Sequence, residues 1–203
     1  MYKKNIAFCF DFDGTITKEE VLPLIAKEIN LYDEFKVLTD ATIRGEIPLM
    51  GSLKLRFKLL ETVPLEIIQN VILKVKLHQK LVHFINQNTN NCFIVTANMD
   101  KWLEVLQSKI NCKFLTSKVK YHLTENKITH LEFIDKSKEL LSIKKSFDKV
   151  VCIGEGMGDV GMFEQADVKI AYGAVHKPVS TLLEISNFYV KTEENLWKIL
   201  NML

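Results

Sequence analysis

The chain has 203 residues, with 27 Lys and Arg against 25 Asp and Glu and a net charge of +2. That length admits one well-cored domain, or a core with a small accessory domain. With 47% hydrophobic and 26% charged residues and few Gly or Pro, the composition argues against a disordered or linker-rich chain. The lysines are scattered among glutamates and form no basic face with interleaved aromatics, which argues against a nucleic-acid partner.

The first predicted element is a strand over residues 5–10, an apolar run that stops at an acidic cluster. From about 17 to 75 only helical patterns occur. Beyond them come an amphipathic helix near 79–88, a strand at Phe93-Ile94-Val95, a helix near 100–109 and a hairpin over 118–132 turning at Thr124-Glu125-Asn126-Lys127. A helix near 136–145, a strand over Val150–Ile153, a helix near 159–165 and a weaker strand over 168–171 complete the pattern. Short apolar strands alternating with helices predict an α/β fold: a Rossmann-like open parallel sheet core, formed by 1–16 and 76–203. Residues 17–75 would be a small all-helical cap inserted after the first strand.

The N-terminal apolar run is too short for a signal segment, and nothing else approaches membrane-spanning length. Cys9, Cys92, Cys112 and Cys152 form no C-x-x-C pair and read as small core residues of a reducing compartment. A cytoplasmic protein with no membrane partner is expected.

Asp11-Phe12-Asp13-Gly14-Thr15 directly follows the first strand. Carboxylates at i and i+2 of an extended segment point the same way and repel. A cation relieves this, and hard oxygen donors favour Mg²⁺; an Asp-Gly turn is the plainer alternative. Thr96 ends the second apolar strand, where it or Asn98 caps a helix beginning near Met99 or binds an anion. Lys136 and Lys138 both lie at the start of the helix near 136–145, where a solvated helix face is the plain reading. Glu155 and Asp159 follow the strand over Val150–Ile153, and Asp159 also suits a helix N-cap. On a wheel for 53–60, Leu53, Leu55, Phe57, Leu59 and Leu60 share one broad apolar face, and Arg56 falls among them. An inward guanidinium needs an anion, from the protein or from a ligand. Glu20 completes the capping-box pattern Thr17-x-x-Glu20, but Pro23 disfavours a helix starting at Thr17. Of the histidines, His176 is expected to be peripheral, and His78, His83, His122 and His130 solvated.

D-x-D-G-T-[ILV]-T behind an apolar strand resembles the first motif of the haloacid dehalogenase-like superfamily. The match runs the length of the chain through Thr96, Lys136 and Gly154-Glu155-Gly156-Met157-Gly158-Asp159, where Glu155 replaces the usual aspartate. It implies that Asp11 attacks phosphorus and becomes phosphorylated, and that Asp13 protonates the leaving oxygen and then activates water. It further implies that Thr96 and Lys136 hold the phosphate, and that Asp11, Asp13, Glu155 and Asp159 serve Mg²⁺. Glu20 and Gly45–Phe57 are similar to the phosphoserine phosphatase group, in which such a Glu holds the substrate ammonium and such an Arg, here Arg56, its carboxylate. Ala97 and Asn98 would face the substrate. The expected activity is Mg-dependent hydrolysis of a small phosphorylated metabolite, most simply O-phosphoserine. The alternatives are another phosphorylated metabolite, or a catalytically weakened homologue that binds a phospho-ligand.

Overall fold

The computed structural model of the protein describes residues 5–122 and 127–203. The turn expected at Thr124–Asn126 lies outside them.

Strand β1 (Ile6–Phe10) is the centre of the molecule. Its alternate residues point to opposite faces, as the pleat requires. Phe8 and Phe10 enter one buried cluster, and Ala7 and Cys9 enter the other. Helices α1 (Val21–Glu28), α2 (Tyr32–Ile43), α3 (Leu49–Leu59) and α4 (Leu65–Lys74) follow before the sheet resumes. The ends of this helical insertion meet: Thr17 and Leu77 form an isolated antiparallel bridge. Lys18 N–H donates to Lys76 C=O at 2.8 Å, and His78 N–H to Ile16 C=O at 2.9 Å.

Next come α5 (Gln79–Gln87), β2 (Cys92–Met99), α6 (Asp100–Leu103), β3 (Lys113–His122), β4 (Lys127–Glu132), α7 (Lys136–Lys144) and β5 (Lys149–Gly154). The chain ends with α8 (Val160–Gln165), β6 (Val168–Tyr172), α9 (Ser180–Ile185), β7 (Phe188–Val190) and α10 (Glu193–Met202). Among the described residues the strands form one seven-stranded sheet, ordered β4-β3-β2-β1-β5-β6-β7. Every neighbouring pair is parallel except β3–β4. The expected α/β class holds. The chain builds outward from β1 on one side and returns to its other side at β5, so β1 ends at a topological switch point, where open α/β sheets bind ligands.

Several expectations need correction. The helix near 100–109 stops at Leu103 and tightens into a 3₁₀ turn over Glu104–Leu106. That geometry stacks Leu103 and Leu106 on one face, and both are buried. A helix does begin beside Met99, at Asp100, but Met99 itself is its N-cap and not Thr96 or Asn98, because β2 runs on to Met99 with a register shift after Thr96. Leu55 and Leu59 are 51% and 38% exposed, since α3 is buried through Leu53 and Phe57, four residues apart. Thr17-x-x-Glu20 is not a capping box: Glu20 itself precedes α1, and Pro23 sits harmlessly in the first turn. His78 is buried rather than solvated, with its ring 5.5 Å from that of Tyr172 and Nδ1 3.3 Å from Glu193 Oε2. Elements α9, β7 and α10 were not anticipated. Thr192 caps α10 by accepting the Asn195 N–H.

Candidate active site

A cavity of about 560 Å³ opens at the C-terminal end of β1, between the sheet and the helical insertion. The backbone beyond Asp11 turns tightly, with the N–H groups of Ile16 and Thr17 both donating to Phe12 C=O. Gly14 sits at φ +68°, where a side chain is strained. This turn places Asp11 and Asp13 in the cavity.

Lys136, the first residue of α7, is positioned by Asp135, which accepts the N–H groups of Ser137 and Lys138 and starts the helix. Its Nζ lies 2.6 Å from Asp11 Oδ1 and 2.7 Å from Asp159 Oδ1. Burial works against the ammonium, but the two carboxylates outweigh it and hold its pKa above the ordinary value. Lys138 instead stands in solvent, its side chain 82% exposed, beside Asp135. Asp159 is fully engaged: its Oδ2 accepts the N–H groups of Glu155 and Gly156, each at 3.0 Å. It thus shapes the loop after β5 while holding Lys136.

Asp13 Oδ1 accepts the Val21 N–H at 2.8 Å, and Oδ2 the Asn98 amide at 2.5 Å. Asn98 also donates from Nδ2 and its backbone N–H to Thr96 Oγ1, so β2 positions Thr96 and Asp13 together. Ala97 lines the cavity beside them. Burial first, then repulsion from Glu20, pushes the Asp13 pKa up to about 7. Burial and the charges of Asp159 and Asp13 likewise raise Asp11 well above the carboxylate range, with Lys136 opposing. Glu155 rises to about 7, chiefly through burial, with Glu20 and Asp159 adding to it.

Glu155 Oε2 accepts the His176 N–H at 3.3 Å, and its carboxylate overlies Gly14. Glu20 Oε1 is 3.4 Å from His176 Nε2. Sequence reasoning missed this role of His176. Its one signal was a place in the loop after β6, at the ligand-binding end of the sheet. Glu20, Glu155 and His176 each bring one donor atom within 4.8 Å of the others.

The cavity wall contributed by α3 carries Arg56. Its Nη2 donates to Ser52 Oγ at 2.6 Å, while Nε is buried with no hydrogen-bond partner among the described residues. Burial lowers its pKa, opposed by the nearby Glu20. Leu49, Leu53 and Phe57 surround it in the wall. Phe57 also stacks near Trp102 and Phe133, with ring centroids 5.0 and 5.4 Å away, which seats α3 on the sheet side.

The arrangement lines one cavity with four carboxylates (Asp11, Asp13, Glu155 and Asp159), and Lys136 bridges two of them, Asp11 and Asp159. Three of them have raised pKa values. This excess of buried, hard-oxygen negative charge fits a divalent cation.

Known proteins resemble the chain in sequence and in fold. No protein-family model matches the chain. It is 25% identical to the phosphoserine phosphatase of Methanocaldococcus jannaschii over 194 residues, covering 88% of this chain and 90% of that one. It is 26% identical to that of Homo sapiens over 184 residues, covering 82% and 81%. A solved phospho-aspartyl intermediate analogue of phosphoserine phosphatase superposes with a TM-score of 0.78 at 23% identity, covering 99% of both chains. The chain is thus similar to phosphoserine phosphatases in sequence and in fold. In this fold the helical insertion roofs the end of β1. Leu49 of α3 comes down to Gly158 in the loop after β5.

Proposed function

We propose that the protein is a phosphomonoester hydrolase of the phosphoserine phosphatase type, converting O-phosphoserine to serine and phosphate through an aspartyl-phosphate. The observation that carries this reading is Asp11, held at the switch point against Lys136, with Asp13 beside it at a pKa of about 7. One carboxylate is placed to attack while the other can hold a proton at neutral pH.

Asp11 attacks phosphorus as the ester P–O bond breaks, and Asp13 gives its proton to the departing serine oxygen. Asp13, now a carboxylate, takes a proton from water, whose oxygen attacks the same phosphorus and frees Asp11. Lys136 and Thr96 hold the phosphoryl oxygens, and Lys136 also screens Asp11 from them. Asp11, Asp13 and Glu155 would hold Mg²⁺, with Asp159 fixing the loop that carries Glu155. The bound ion would offset the repulsion between an anionic nucleophile and an anionic phosphate. Arg56, which forms no ion pair among the described residues, receives the substrate carboxylate.

No helix among the described residues is long and apolar enough to cross a membrane, and the four cysteines are unpaired. The free cysteines suit a reducing compartment, and the reading is of a cytoplasmic enzyme acting on a small phosphorylated metabolite, in serine biosynthesis. Magnesium-dependent phosphate release from O-phosphoserine, lost in Asp11→Asn, is the direct test. Full release by that variant would defeat the reading.

A further inference from the structure

Glu20 lines the cavity from the start of α1 and acts electrostatically on Arg56. A carboxylate so placed is a natural partner for a cationic group on the substrate. In this chain that position is already served. His176 Nε2 lies 3.4 Å from Glu20 Oε1, and the imidazole is held there by its own backbone N–H, which donates to Glu155 Oε2. Arg56 presents the opposite situation: its polar contact is the Ser52 hydroxyl, and its Nε has no partner.

We propose that His176 is a specificity-determining positioning residue, the built-in partner of Glu20, and that the site reads the phosphate and carboxylate of its substrate while remaining nearly indifferent to an ammonium. Resting on the phosphatase reading above, this widens the substrate class to short phosphomonoesters that carry a carboxylate, with or without an α-amino group. The reason is one of exchange. A substrate ammonium arriving at Glu20 gives up its hydration and displaces an imidazole already in contact, so its net contribution is small. A carboxylate arriving at Arg56 displaces no acidic partner and forms its charge-assisted bonds at full value.

The test compares kcat/KM for O-phosphoserine and for its des-amino analogue, 3-(phosphonooxy)propanoate, with Mg²⁺ present. The wild-type ratio should lie within about threefold of unity. His176→Ala removes the competitor while leaving the backbone N–H to Glu155 in place, and the half-exposed side chain makes misfolding no concern. It should raise the ratio about tenfold in favour of phosphoserine, through KM and not kcat, as a partly exposed charged hydrogen bond implies. Adding Glu20→Gln should cancel that gain. A wild-type preference for phosphoserine of about tenfold or more would overturn the proposal, as would an unchanged ratio in His176→Ala or a gain that persists in the double variant. Failure to hydrolyse either substrate would instead overturn the phosphatase reading.

Discussion

The carboxylate of Glu155 occupies the space that a side chain at Gly14 would fill: a Cβ built on Gly14 would overlap both Oε1 and Cδ of Glu155. The long side chain of Glu155 therefore finds its room over the first acidic loop, where Gly14 has no side chain. Gly14→Ala should expel the Glu155 carboxylate and also force a side chain into φ +68°, costing about 1–2 kcal/mol of stability. The Mg²⁺ concentration giving half-maximal activity should rise severalfold. Glu155→Asp in the same chain should restore much of the metal response but not the stability. A Gly14→Ala variant with an unaltered magnesium titration would separate Glu155 from the metal altogether.

Asp11→Asn should abolish phosphate release while the fold persists. A neutral amide neither attacks phosphorus nor balances Lys136. Because the variant relieves repulsion from Asp13 and Asp159 but gives up the ion pair with Lys136, the metal-free protein should melt close to the wild-type temperature. Circular dichroism melting alongside a phosphate assay checks both statements.

Arg56→Ala should lower kcat/KM for phosphoserine about 10- to 150-fold, the worth of roughly 1.5–3 kcal/mol for a charge-assisted bond. An aryl phosphate without a carboxylate should be hydrolysed nearly as before. Since the guanidinium leans on a hydroxyl and leaves Nε unpaired, its removal should not lower the melting temperature. Equal losses on both substrates would assign Arg56 to the architecture of α3 and not to the substrate.

The acidic cluster also sets the pH response of the metal-free protein. Asp13 and Glu155, with ordinary values of 3.8 and 4.5, are raised to about 7. Such groups keep their protons in the folded chain while the unfolded chain sheds them, so stability falls as pH rises from about 4 to about 7, and Asp11, raised well above its ordinary value, adds to the fall. His176, raised by its contact with Glu20, acts in the same direction, whereas buried His78, with a lowered value, opposes it below about 6.5. Melting in EDTA should therefore be higher near pH 5.5 than near pH 7.5, and Mg²⁺ should recover the difference at the higher pH. Asp13→Asn should flatten the slope. Melting curves that coincide at the two pH values without metal would mean that the carboxylates are not strained.

Much of this was legible in the sequence because it rests on local pattern. β1 is buried on both faces and so reads as an unbroken apolar run, and an acidic cluster at its end marks the switch point without reference to distant residues. Arg56 among leucines announced an inward guanidinium. What escaped is tertiary. Nothing near His176 signals that its ring meets Glu20, and nothing near Asn98 signals that its amide is committed to Asp13. The wheel of α3 overstated its buried face because Leu55 and Leu59 are as apolar as Leu53, and only the packing of α2 and the sheet decides which of them is covered. His78 looked like a surface residue until Tyr172 and Glu193, from the far end of the chain, closed around it.

The bridge between Thr17 and Leu77 has an implication for how such a molecule can be altered. Because the outgoing and returning strands run side by side there, sheet and insertion communicate through a doorway two residues wide. Joining Ile16 to His78 by a short turn would excise about sixty residues without asking the sheet to reposition either end. Conversely, a differently shaped roof could be grafted between the same two posts. The doorway makes the roof over the cavity an exchangeable part, set apart from β1 and its acidic loop.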